Sequence, residues 1–236
     1  MYHPDINSYD DTDIQFKFKK ISIPSTERIV LNSWYSFKDP SYKTLVFFHG
    51  NAGNLNNRIY KLNKINELNV NFLIVSWRGF SGNKGKPTEL GLYQDARNAI
   101  KWLEQEGIAK NNIILYGESL GTGVALELAQ DSKYAGIVLE SPYTSMVEMA
   151  KKIYPFLPAS ILVKDRFESQ LKIKKNISPI LIMHGEMDTL VPVQMGKKLF
   201  KEANDPKYSY FPSFDNHMMK YDVKLISVLK NFISTL

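Results

Sequence analysis

"NNIILYGESLGTGVALELAQ", residues 111–130, joins an apolar run that stops at Gly117 to a helical pattern that opens after Ser119. At the junction, GESLG (117–121) has the form G-x-S-x-G. Alone, that pattern arises by chance in roughly one chain in ten of this length. Its context makes it specific. A buried strand followed by an amphipathic helix is the setting of a nucleophile elbow, in which a sharp turn holds the serine in a strained backbone conformation. Side chains at 117 and 121 would collide with such a turn, which explains glycine at both. The Ser119 hydroxyl is then expected above the sheet, with the Leu120 amide opening the helix beside it. The plainer alternative is a glycine-rich strand–helix junction carrying a solvated serine.

A serine hydroxyl is a weak nucleophile without a base. The chain has four histidines. His3 lies at a terminus expected to be mobile. His49, in "FFHGNAGN", and His184 each end a buried run, where structural hydrogen bonding is the expected role. His217, in "SFDNHMMK", occupies a polar loop between the last strand-like segment "YSYF" and the last helix. Only from there is a base expected to reach over the sheet. The third member should orient the imidazole and stabilise its cation. Asp188 closes "HGEMD" just past a buried strand, and the order Ser119, Asp188, His217 is that of an α/β-hydrolase triad. Glu140, ending "IVLES", is the rival acid. An oxyanion hole needs two backbone N–H groups. "HGNAGN" (49–54) offers the Asn51 amide as partner to that of Leu120, with Ala52 as second choice.

Outward from this centre, "TLVFFH" (44–49), "NFLIVSW" (71–77), "NIILYG" (112–117), "AGIVLES" (135–141) and "SPILIMHG" (178–185) are apolar without alternation. Such runs are strands buried on both faces, usually parallel. Amphipathic segments at 58–68, 89–106, 119–130, 193–203 and 220–233 separate or follow them, which argues for an open α/β sheet flanked by helices. Two earlier segments, 14–23 and 29–37, suit an antiparallel edge. Residues 143–177 break the rhythm and are too long for a plain connection. They are expected to form a small helical, cap-like insertion within a single domain spanning 1–236. Its apolar load is expected to roof the acyl side of Ser119; the alternative is packing onto the sheet edge.

Composition narrows the classes further. The 236 residues carry a net charge of +6, mostly from scattered lysines, and no cysteine. Disulfides, thiol nucleophiles and cysteine metal sites are excluded. No H-x-x-x-H spacing suggests zinc, so neither metal nor cofactor is expected. Scattered lysines with only five arginines argue against nucleic acid as a partner, while a weak attraction to anionic membrane surfaces stays open. The acidic N-terminus is no signal peptide and no apolar run reaches 18 residues. A cytoplasmic location is expected. The oligomeric state is not readable.

"FFHGNAGN", "SWRGFSGNKGKPTELGLYQDARNAIKWL", "LYGESLGTGVALELA", "GIVLESPYTSM" and "PILIMHGEMDTLVP" together resemble the α/β-hydrolase superfamily, specifically its Bem46-like branch with the ABHD13 and ABHD17 proteins. The resemblance covers about residues 40–220. It implies a core sheet of about eight strands and a serine hydrolase of esters or thioesters, with the family triad mapping onto Ser119, Asp188 and His217. Arg78 and Gly79 resemble a strand-end turn of scaffold character, and Asp95 a capping or pairing residue. Tyr143 either lines the substrate pocket or sits in the core. Branch members often carry an N-terminal membrane anchor ahead of a Y-x-P-like start. Here, where the chain begins "MYHPD", an anchor is either absent or missing from this chain, and in the latter case the protein would be membrane-associated. Thioesterase members also carry a cysteine cluster; its absence weakens a carry-over of protein depalmitoylation. The expected activity is thus hydrolysis of a small acyl ester or thioester through an acyl-enzyme. The alternatives are a peptidase or amidase on the same triad, or a silent scaffold that binds a ligand or partner.

Overall fold

The computed structural model describes residues 2–5, 13–26 and 28–236. Eight strands form one sheet: β1 (Lys19–Thr26), β2 (Ile29–Ser36), β3 (Lys43–Phe48), β4 (Val70–Val75), β5 (Ile113–Glu118), β6 (Gly136–Glu140), β7 (Ile180–Met183) and β8 (Lys207–Tyr210). Their spatial order is β8-β7-β6-β5-β3-β4-β2-β1. The pairs β1–β2 and β2–β4 are antiparallel and all others parallel. From central β3 the chain steps one way to β4 and the other way to β5. The crevice outside the carboxyl ends of β3 and β5 is therefore the switch point where α/β sheets take their ligands.

The apolar runs lack alternation because both faces of the sheet are covered. Along β3, Val46 and Phe48 join one core cluster while Leu45 and Phe47 join the other. The first cluster packs beneath α2 (Glu89–Gln105), α3 (Leu120–Ala129) and α7 (Val193–Glu202), and the second beneath α1 (Ile59–Ile65) and α8 (Val223–Ser234). Local chemistry sets the helix starts. The Thr88 hydroxyl accepts from the Gly91 amide at the head of α2, and the Asp222 carboxylate accepts from Leu225 at the head of α8. Such caps satisfy donors that the first turn leaves without intrahelical partners.

The edge differs from expectation. The segment expected as a strand from residue 14 is strand only from Lys19 onward. Ahead of it, Phe16 packs edge-on against Phe72 at 4.9 Å and Phe18 lies 5.2 Å from Trp34. Alternation there reflects one side chain in two meeting the core, which a loop crossing the sheet face also satisfies.

The insertion is helical: α4 (Met146–Ile153), α5 (Ala159–Leu162) and α6 (Ser169–Ile173). Its returning segment, between α5 and α6, is pinned to α2. Asp165 accepts from the Glu89 amide, and the Glu89 carboxylate accepts from the amides of Arg166 and Phe167. Val147 and Met149 are buried, but the tip around Pro155 and Pro158 is not. Among the described residues no helix is long and apolar enough to cross a membrane.

Candidate active site

The turn after β5 puts Ser119 at φ +50° and ψ −112°, a conformation that non-glycine residues seldom adopt. The two flanking glycines have steric causes. A Cβ on Gly121 would sit 1.9 Å from the Phe48 carbonyl oxygen, and one on Gly117 2.6 Å from the Gly121 carbonyl oxygen. Strand β3 and helix α3 thus touch backbone to backbone. Gly121→Ala is expected to destabilise the fold by upwards of about 3 kcal/mol, because the obstacle is main chain and cannot rotate away. Urea unfolding checks this; a loss below about 1 kcal/mol would mean that the turn is looser than its geometry implies.

The loops after β5, β7 and β8 bring three distant residues together. Ser119 Oγ lies 3.0 Å from His217 Nε2, and His217 Nδ1 lies 2.7 Å from Asp188 Oδ2. A carboxylate only accepts, so Nδ1 carries the proton and Nε2 is left to accept from the serine. Asp188 Oδ1 accepts from the Leu190 and Val191 amides, both at 2.8 Å. Oδ2 takes a second imidazole: His184 Nε2 at 3.0 Å, which also lies 2.9 Å from the Val191 carbonyl. Burial would raise the Asp188 pKa, but the hydrogen bonds from His184 and His217 outweigh it and hold the carboxyl well below its usual range. The group is therefore anionic at neutral pH. Such a chain can draw a proton from Ser119 and hold the resulting imidazolium.

His184 was expected to be structural, and its contact with Asp188 escaped the sequence reading. The available signal was the i, i+4 spacing in "HGEMD". Ser141 also escaped it. Its hydroxyl donates to the His217 carbonyl at 3.0 Å and anchors the histidine loop.

Glu140, the rival acid, is committed elsewhere. Its Oε1 pairs with Lys61 at 2.6 Å, and its Oε2 accepts from Tyr116 and Tyr221 at 2.8 and 2.6 Å. The same buried Lys61 pairs with Glu118, which also pairs with Arg58 at 3.1 Å and accepts from the Gly50 amide at 3.1 Å. Burial opposes ionisation of Glu118, but Lys61 and Arg58 hold its pKa below the usual range. Burial likewise opposes the Lys61 charge, and the two glutamates outweigh it. Two anions and two cations thus cancel beneath the elbow and tie it to the loop after β3.

That loop faces the serine. A Cβ on Gly50 would lie 3.5 Å from that of Ser119. Its carbonyls are pinned: Asn51 accepts from the His3 amide at 3.2 Å, Ala52 from Arg58 at 3.0 Å and Gly53 from the Asp5 amide at 3.2 Å. His3 was expected at a mobile terminus; instead it pairs with Ala52 in a short parallel bridge. Asn51 lies in this loop, and Leu120 opens α3, whose first-turn N–H groups have no intrahelical acceptor.

Tyr143, open between the substrate pocket and the core, has a core environment. It is fully buried behind α3, its hydroxyl donating to the Leu120 carbonyl at 3.3 Å and its ring edge-on to Phe167. A tyrosine between strand and helix looks the same in sequence whether it lines a pocket or braces a helix. Asp95 is buried and forms a bidentate pair with Arg78, and Gly79 supplies a positive φ of 80° at the turn beside it.

His49 carries a separate consequence. Its Nδ1 faces the Gly50 carbonyl at 2.8 Å. Burial, and next the Arg58 guanidinium, lower its pKa to about 3. An unfolded histidine titrates near 6.5. Between these values the unfolded chain binds one more proton than the folded chain. The contribution is therefore complete above about pH 6.5 and is lost as pH falls, at up to about 1.4 kcal/mol per pH unit. Urea unfolding at pH 6.5, 5.5 and 4.5 is expected to show this slope, reduced by about one proton in His49→Asn. Equal slopes in the two proteins would rule His49 out as its source.

Residues 43–160 match a family described as alpha/beta hydrolase fold. The chain is 30% identical over 209 residues to protein bem46 of Schizosaccharomyces pombe, covering 84% of this chain and 70% of that one. It is 32% identical over 207 residues to the lysophosphatidylserine lipase ABHD12 of Danio rerio, covering 76% of this chain and 54% of that one. In three dimensions it resembles the Pyrococcus furiosus esterase Pf2001, with a TM-score of 0.79, 18% identity, and coverage of 100% of this chain and 97% of that one.

Proposed function

The chain belongs to the α/β-hydrolase family, in its Bem46/ABHD branch, and from that premise we propose a serine hydrolase of carboxylic esters or thioesters. The observation that carries this reading is the Ser119 hydroxyl on a strained turn, 3.0 Å from an imidazole whose other nitrogen faces a buried carboxylate. The esterase and lipase names among its relatives agree with it.

In the proposed reaction His217 Nε2 takes the Ser119 proton as Oγ attacks the acyl carbon. The tetrahedral oxyanion accepts hydrogen bonds from the Asn51 and Leu120 amides, each such donor being worth about 3 kcal/mol. Collapse breaks the bond to the alcohol or thiol, which leaves with the proton from His217. Water, deprotonated by the same nitrogen, then attacks the acyl-serine and releases the acid. Asp188 stabilises the imidazolium in both halves. The network around Glu118 keeps the loop bearing Asn51 in register with Ser119, so the donors are oriented before charge develops.

A fluorophosphonate probe tests for an activated serine, and a panel of acyl esters, thioesters and amides, run on wild type and Ser119→Ala, tests the substrate class. Labelling with faster ester or thioester than amide turnover is the expected result. Amide preference would make the protein a peptidase or amidase, and no labelling would leave a binding scaffold.

A further inference from the structure

The tip of the insertion has a surface that the proposed chemistry does not use. Ile153, Tyr154, Phe156, Leu157, Ile161 and Leu162 are all exposed, Phe156 by 98% and Ile161 by 79%. They fall within ten consecutive residues. An exposed apolar cluster of this size marks a contact site rather than ordinary surface. We propose that residues 153–162 insert into the interface of an anionic lipid membrane.

Three observations favour lipid over a protein groove. The first is charge. The tip and its flanks, residues 151–164, hold three Lys and no Asp, Glu or Arg, a net of +3. Lys151 and Lys152 precede the apolar tip and Lys164 follows it, all exposed. Basic residues bracketing an apolar tip match an anionic headgroup layer above acyl chains. The second is the backbone. Pro155 and Pro158 have no N–H to desolvate, and the amides of Tyr154, Leu157, Ala159, Ile161, Leu162 and Val163 all donate within the insertion. With most of its donors absent or satisfied, the segment enters a poorly hydrated layer at lower cost. The third is composition. Tyrosine and phenylalanine with flanking lysines are the side chains that settle at a membrane interface.

The insertion follows β6, at the sheet end that carries Ser119. Its Asp165 accepts from the Tyr2 hydroxyl at 3.0 Å, and the next residue, His3, bonds the Asn51 carbonyl. Docking by the tip thus turns the active-site end of the sheet toward the lipid.

Sedimentation with vesicles tests this without reference to catalysis. The full chain is expected to bind vesicles of phosphatidylcholine mixed with phosphatidylserine, and to bind phosphatidylcholine alone more weakly. Phe156→Asp with Ile161→Asp is expected to weaken binding by at least about tenfold. Lys151→Glu, Lys152→Glu and Lys164→Glu together should abolish the preference for the anionic lipid. Both variants alter exposed side chains, so an unchanged melting temperature certifies their fold. Failure of the wild type to bind either vesicle would overturn the proposal. So would equal binding by the Phe156/Ile161 variant. A dimer in solution that this variant converts to monomer would assign the tip to a second copy of the chain instead. Loss of esterase activity in a vesicle-binding protein would leave this inference standing and remove only the hydrolase reading.

Discussion

Ser119→Ala is expected to lower kcat for ester hydrolysis by roughly 10⁶-fold, the scale of loss when the nucleophile of a serine hydrolase is removed. The melting temperature should move by no more than about 2 °C. The two outcomes separate because the hydroxyl hydrogen-bonds to His217, and alanine removes that bond while keeping the Cβ. Alanine keeps the Cβ and so keeps the strained φ of +50°. Ser119→Gly makes the complementary test. It is equally inactive under the proposed mechanism, but glycine tolerates positive φ and should stabilise the turn by about 1 kcal/mol relative to alanine. Turnover in Ser119→Ala above a few per cent of wild type would remove Ser119 from the mechanism.

The parts of this arrangement that were readable in the sequence are those enforced by local sterics or by chain order. Gly117 and Gly121 declare the elbow because a Cβ at 121 would meet the Phe48 carbonyl and one at 117 the backbone of Gly121 and Thr122. The five buried strands declare themselves because helices on both faces demand apolar residues at consecutive positions. His217 and Asp188 follow from where loops must emerge at the carboxyl ends of the strands. What escaped is what depends on through-space partners without periodicity. Arg58 and Lys61 sit on the first helical segment in the pattern of ordinary solvated charges, yet they are buried against Glu118 and Glu140, 57 to 79 residues away in sequence. The pairing of His3 with Ala52 is a backbone contact and leaves no trace in side-chain pattern. The tip of the insertion shows the limit from the other side. Its apolar residues suggested a roof or a packed edge, because hydrophobicity alone does not report whether a side chain finds a neighbour.

Asp188→Asn should cost kcat a factor on the order of 10⁴, while Glu140→Gln costs far less, and the reason is tautomeric. Asp188 Oδ1 accepts from two backbone amides, so an asparagine there keeps its carbonyl oxygen on that side. Its NH₂ group then points where Oδ2 stood, at two imidazole nitrogens that both donate in the wild type. His217 can satisfy the new donor only by carrying its own proton on Nε2. In that tautomer the nitrogen facing Ser119 donates and can no longer remove the hydroxyl proton. His184 sharpens the effect. Its Nε2 also serves the Val191 carbonyl, so it keeps its proton there and cannot accept from the asparagine amide. Glu140→Gln, by contrast, loosens a charge network that does not touch His217. It should show chiefly in stability, since Lys61 loses one of the two buried anions that neutralise it. Measuring kcat and urea unfolding on both variants separates them. A folded Glu140→Gln protein with the larger loss in kcat would assign the acid to Glu140 and leave Asp188 as a loop anchor.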